Sequence, residues 1–270
     1  MQAIAIARAT IRELWRRHTA LVMLVVLPLA FYLARRDIPF SAIVVLALGL
    51  GWAVSTLALF STVNALELDG RLRIAGFTSP AILVGRLLAV MLIGVALSLG
   101  YLVLVILDQD VARLGGVALM MLCAILVGAP RGMAIGLLLR RELEGALALL
   151  IFLATQFMTN PEKLLAHCLP LWSVRGVADW TMGLGGASWL RDGLTHAAAT
   201  LAVLFAIIAF TSAFRLRIYP PHEVLRDDRD VLGPVEFEAL LPAADLVLVA
   251  ARGPVATLPI AIAMAAALPI

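Results

Sequence analysis

The sequence predicts an all-α integral membrane fold. It has six transmembrane helices, an amphipathic helix ahead of the first, and a short polar helix between the second and third. Three observations lead there. Hydrophobic residues make up 63% of the chain and charged residues 14%, against about half and about a quarter in soluble domains. The apolar excess is gathered into long runs, and about 20 apolar residues in a row match the hydrocarbon thickness of a bilayer. The runs also lack the amphipathic alternation that a soluble core requires.

Residues 3–18 read as a helix lying on the membrane surface. Arg8, Arg12 and Arg16 recur on one face, and Ile4, Ile11, Leu14, Trp15 and His18 gather on the other. That division suits the headgroup boundary, with the arginines near anionic lipid and Trp15 at the interface. The plainer reading is a basic flank that only orients the first span. The spans follow at 19–34, 40–66, 81–107, 111–139, 145–158 and 192–214. The first run resembles a secretory leader in its basic start. However, the basic region extends to Arg17 and no small-x-small cleavage site follows, so it reads as a retained span.

Orientation follows from the arginines and the single lysine, Lys163. With the N-terminus inside, thirteen fall on inner segments and six on outer ones. This predicts that both ends of the six-span core are cytoplasmic. Arg35 and Arg36, on the outer side, run against the rule locally.

The most informative polar segment is 67–79, ELDGRLRIAGFTS, followed by Pro80. It alternates charge with Leu72, Ile74 and Phe77, so it can form a short helix with one apolar side. A solvated loop gains nothing by exposing such side chains. Thr78, Ser79 and Pro80 supply a start signal for the next helix.

Over residues 1–217 the arrangement resembles the permease subunit of type-2 ABC exporters. The shared features are a basic amphipathic first helix, two spans, and a Glu-x-x-Gly-x-Leu loop (Glu67, Gly70, Leu72) leading to Thr-Ser-Pro. A span opening with Leu83, Gly85, Arg86 and Leu87 follows, then a short turn at 140–144 and a Pro170-marked segment before the last span. Arg71 stands where that family usually has Thr. The resemblance implies that 67–79 is a coupling helix that docks on an ATP-binding cassette subunit through Glu67, Asp69, Gly70, Arg71, Leu72, Arg73 and Phe77. It also implies a second permease (an identical or a related chain), export of a lipophilic or drug-like substrate, and a plasma or inner membrane location. Residues 159–191, with Trp172, Trp180 and Trp189, would then form short re-entrant helices capping the path from outside. A plain interfacial tryptophan belt is the simpler reading of the same residues.

The chain supplies no ATPase site of its own kind. A P-loop needs a lysine within a glycine-rich loop, and Lys163 follows Pro161 and Glu162 instead. ATP and Mg are therefore expected on the partner subunit, with no cofactor in this chain.

Gly128, Gly132 and Gly136 recur every four residues in the fourth span. Such spacing lets helix backbones approach closely. Arg131 lies nine residues before Arg140, so roughly 13 Å from that helix end. It reads as a snorkelling or paired charge, with Glu142 and Glu144 as partners, or as a charge in the substrate path or its gate.

After Arg217 the composition changes. The extension 218–270 is first polar, then apolar again from 246, broken by Arg252, Gly253 and Pro254. It reads either as a seventh span or as a segment resting on the membrane or on another subunit. A net charge of +3 is small for a nucleic-acid binder. An intramembrane enzyme is the rival class, but His18, His167, His196 and His222 fall at span ends or in loops, with no His-x-x-x-His or Cys-x-x-Cys pair and no expected metal site. A non-catalytic membrane scaffold is the third class.

Overall fold

The computed structural model describes residues 2–16, 18–111, 113–159, 164–184 and 186–216. The extension 218–270 and Lys163 lie outside the described residues. The described residues form ten helices and no strand. They are α1 (Gln2–Arg16), α2 (His18–Ala34), α3 (Pro39–Asn64), α4 (Leu66–Ile74), α5 (Ser79–Asp108), α6 (Leu114–Leu139), α7 (Glu142–Met158), α8 (Leu164–His167), α9 (Trp172–Thr181) and α10 (Ala187–Leu216).

Each of the six expected apolar runs forms a helix, but only four are long and apolar enough to cross a membrane: α3, α5, α6 and α10. Among the described residues, four helices thus meet the length and apolarity of a span, and two of the six expected runs, α2 and α7, fall short. α2 and α7 have 17 residues each, which reach about 26 Å at 1.5 Å per residue, against about 30 Å of hydrocarbon. Their limits are local. α2 ends in the turn at Arg35–Ile38, where the Ile38 N–H donates to the Arg35 carbonyl at 2.9 Å. α7 starts after a tight turn in which Arg140 has φ 56°, and it stops where Thr159 becomes extended.

The four long helices divide into two kinds. In α3 and α6, 83% and 72% of the spanning window is buried. In α5 and α10 only 22% is. All four are apolar all round, and a helix of that kind must be covered on every face. α3 and α6 find their cover within the chain, in a core built on Leu46, Leu50, Val54, Met120, Ile125 and Met133. α5 leaves Leu88, Leu92, Leu99, Val103, Ile106 and Leu107 exposed, a surface suited to lipid tails or another apolar helix and not to water.

α1 packs against the first turns of α5, and its buried residues are Ile6, Ala7, Thr10 and Leu14. A Cβ placed at Gly85 of α5 would meet the Ala3 carbonyl oxygen at 2.5 Å, so only glycine admits this approach. The sequence reading put Ile4, Leu14 and Trp15 on a single face. In the structure Leu14 is buried against the rest of the protein, while Ile4 and Trp15 remain 57% and 69% exposed. They form a strip between the protein-facing side and the exposed face of Arg8, Arg12 and Arg16. The helix thus has three faces and not two, because α5 occupies one of them.

Residues 164–184 form α8 and α9, both too short to span. α9 is inserted against α6 and α10, with Trp172, Val174, Val177 and Ala178 buried. Trp172 does not face lipid. Its ring lies 4.1 Å from that of His167 and 5.2 Å from that of His196. Trp180 is held by Arg113, whose guanidinium donates to the Trp180 carbonyl at 2.7 Å and sits 5.1 Å from the ring centroid. Trp172 is thus a packing residue of the inserted helix, and Trp180 is half-buried against Arg113.

Candidate functional site

Two groups of sequence-predicted residues are brought together at defined places. The first is the corner formed by α1, α4 and the start of α5.

α4 ends in a turn that its sequence specifies. Gly76 has φ +90°, a conformation that a side chain disfavours. The Gly76 N–H donates to the Arg73 carbonyl at 2.9 Å and the Phe77 N–H to the Leu72 carbonyl at 3.0 Å. This is the Schellman arrangement, in which a left-handed glycine satisfies the last carbonyls of a helix. The chain then restarts as α5, with Thr78 extended at the N-cap and a proline in the first turn. Gln2 of α1 crosses to this turn. Its amide donates to the Gly76 carbonyl at 3.1 Å and accepts from the Thr78 N–H at 3.3 Å.

Asp69 of α4 and Arg86 of α5 form a two-pronged ion pair, at 2.6 and 3.2 Å. The Arg86 side chain is 3% exposed and that of Asp69 21%. A paired guanidinium fork suits such a semi-buried carboxylate. Asp69 therefore turns inward, and the expected contact residues divide. Asp69 serves the chain's own packing. Leu72, Arg73 and Phe77 are half-buried, and of Glu67 only the backbone is described. Gly70 and Arg71 are exposed, beside Leu68 at 49%. The apolar side expected from Leu72 and Phe77 faces the protein more than solvent, because the turn at Gly76 folds Phe77 back. Leu68 is an apolar side chain exposed on the outer face. Gly70 has nothing within 4 Å of where a Cβ would sit, so internal packing does not require a glycine there.

The second group is the α3–α6 crossing. Gly51, Ser55 and Leu59–Thr62 of α3 meet Gly128, Gly132 and Gly136 of α6 in the same order, so the two helices run parallel. A Cβ at Gly128 would lie 2.6 Å from the Gly51 carbonyl oxygen and one at Gly136 3.1 Å from Thr62 Cβ. One at Gly132 would fall on the Ser55 carbonyl. The partner of the glycine row, which spacing could not name, is therefore α3.

Arg131 stands within this crossing, 3% exposed. Its Nε and Nη2 donate to Ser55 Oγ at 3.1 and 2.8 Å, and Nη2 reaches the Gly51 carbonyl at 3.4 Å. The single Ser55 hydroxyl hydrogen points to either the Gly51 or the Gly128 carbonyl, each at 2.7 Å. Glu142 and Glu144 are not its partners. Glu144 pairs instead with the exposed Arg141 at 2.9 Å. The charge is accommodated by neutral oxygens, which desolvation makes costly unless every contact is kept. Ser55 is the residue that sequence reasoning missed here. Its position four residues after Gly51 on α3 was the available signal.

No family model, no curated protein and no solved structure matches this chain.

Proposed function

We propose that this chain is the transmembrane subunit of an ATP-driven transporter of the type-2 ABC exporter kind. The observation that carries the reading is α4. A nine-residue polar helix is set rigidly between two long apolar helices by its closing turn, by Gln2 and by the Asp69–Arg86 pair. Its outer face presents Leu68, Gly70 and Arg71. An exposed glycine with no internal packing role costs about 0.5–1 kcal/mol against alanine in a helix, and it leaves room for a partner backbone.

In this reading α4 is the coupling helix, and it docks on a separate subunit that binds ATP and Mg. The chain pairs with a second permease, a copy or a relative, to form the path for a lipophilic or drug-like substrate in the plasma or inner membrane. α2 and α7 complete six spans, accommodating their shorter length by local thinning of the bilayer. Both ends of residues 1–217 are then cytoplasmic. The Arg8–Arg12–Arg16 face rests on anionic lipid, with Ile4 and Trp15 in the headgroup boundary.

Extraction in a mild detergent tests this. The expected result is a complex that hydrolyses ATP, and Arg71→Glu with Leu68→Asp abolishes that activity in the purified material while the chain itself stays monodisperse. A chain that purifies alone from native membranes, with no ATP hydrolysis, would count against transport and leave the scaffold class standing.

A further inference from the structure

α5 is held in a way that none of the other long helices is. It runs for 30 residues, with its only proline in the first turn, so its backbone hydrogen-bond ladder is uninterrupted over about 45 Å. Only 22% of its spanning window is buried. Its polar ties lie in its first turns and its last two turns, where the Tyr101 hydroxyl also donates to the Val25 carbonyl of α2 at 2.9 Å. Near the start, Arg86 pairs with Asp69 of α4. At its last residue, Asp108 receives the Tyr32 hydroxyl of α2 at 2.5 Å and the Arg36 Nε at 2.8 and 3.1 Å, and Arg36 Nη2 also binds it. Gln109 adds a bond to the Arg36 carbonyl at 3.3 Å. Tyr32 is fully buried, whereas the Arg36 side chain is 59% exposed. The cluster also explains a sequence anomaly. Arg36 opposes the charge rule for its side of the membrane, but Asp108 neutralises it.

We propose that Tyr32, Arg36 and Asp108 form a latch that holds α2 against α5 at the end remote from α4, and that displacing α4 releases it through α5. An unbroken helix transmits a push along its axis with little compression. The Asp69–Arg86 fork is short and semi-buried, so α4 cannot move far without carrying Arg86. The latch is made of hydrogen bonds whose strength falls steeply once geometry is lost. A small displacement of Asp108 therefore separates two discrete arrangements, bonded and open, which is what a transmitted signal requires. Only the identity of what displaces α4 rests on the function proposed above. The latch and its link to Asp69 belong to this chain.

The test needs no second protein. Spin labels at Leu33→Cys and Leu107→Cys, both exposed in the structure, report the α2–α5 distance in the full chain, reconstituted in nanodiscs with Cys123→Ala and Cys168→Ser. The unaltered latch gives one short distance. Asp108→Asn adds a longer population, and Tyr32→Phe adds a smaller one. The decisive variant is Asp69→Asn with Arg86→Gln, which leaves no unpaired charge and does not touch the latch; it produces the same longer population. Arg86→Lys, which keeps the charge but loses the fork, gives an intermediate shift and serves if the double variant fails to fold. An unchanged distance in Asp108→Asn would overturn the latch. A shift in Asp108→Asn without one in either α4–α5 variant would overturn the coupling. Loss of a co-purifying ATPase would alter none of these distances, so the two readings fail separately.

Discussion

The α3–α6 crossing and α5 are built from the same kind of sequence and do opposite things. Both contain long apolar helices with glycines. In the crossing the glycines face another backbone, and a methyl group at Gly132 would fall on the Ser55 carbonyl. On α5, Gly100 is exposed and has nothing within 4 Å of where its Cβ would be. The crossing is locked by shape along its length. α5 packs one face against α1, α3 and α6, at Gly85, Val90 and Gly94, carries its polar ties toward its ends, and leaves most of its spanning window exposed. Close packing on every side resists any partial displacement, whereas a helix packed on one face only is less constrained.

Substitutions can break that contrast, and their expected effects run from large to small. Gly132→Val should be the most damaging. It forces α6 away from α3 and costs about 3 kcal/mol or more, read as loss of the monodisperse species on extraction. Asp69→Asn leaves Arg86 buried without its carboxylate. Breaking such a pair costs about 2–3 kcal/mol once partial exposure is allowed for, seen as a lower thermal midpoint in detergent. Ser55→Ala removes the oxygen that accepts two bonds from Arg131. The expected loss is about 1–2 kcal/mol, and adding Arg131→Met to it should recover part of the midpoint, because the unpaired charge is then gone. Gly100→Ala should have the opposite sign, raising stability by about 0.5–1 kcal/mol through helix propensity alone. If Gly100→Ala destabilised the chain in the membrane as Gly132→Val does, α5 would be packed against a partner and not against lipid.

Much of the local structure was legible in the sequence. The helix limits near Arg35, Leu107 and Leu139 follow from where charge interrupts apolar runs. The end of α4 follows from Gly76, and the start of α5 from Thr78 and Pro80. The glycine row on α6 announced a close contact. What was not legible is which surface each element meets. Periodicity shows that Leu72 and Phe77 share a side with other apolar residues, but not that the turn at Gly76 folds Phe77 toward the chain. Asp69 reads as one more loop charge until Arg86, seventeen residues on, is seen beside it. The pairing of Arg36 with Asp108 spans 72 positions, and no local pattern marks it.

The sequence by itself determined the helices, their apolar character and the polar corner at residues 67–79. Those features depend on composition, on 3.6-residue periodicity and on residues with special backbone preferences, all of which act over a few positions. Only the tertiary structure decided that α3 and α6 lie inside and α5 and α10 outside, that Arg131 rests on Ser55 and not on a carboxylate, and that α5 is clamped at both ends. Four helices apolar on every face carry no amphipathic signal to say which side is inward. Their arrangement is settled by the fit of glycines to backbone and by polar pairs between residues far apart in the chain.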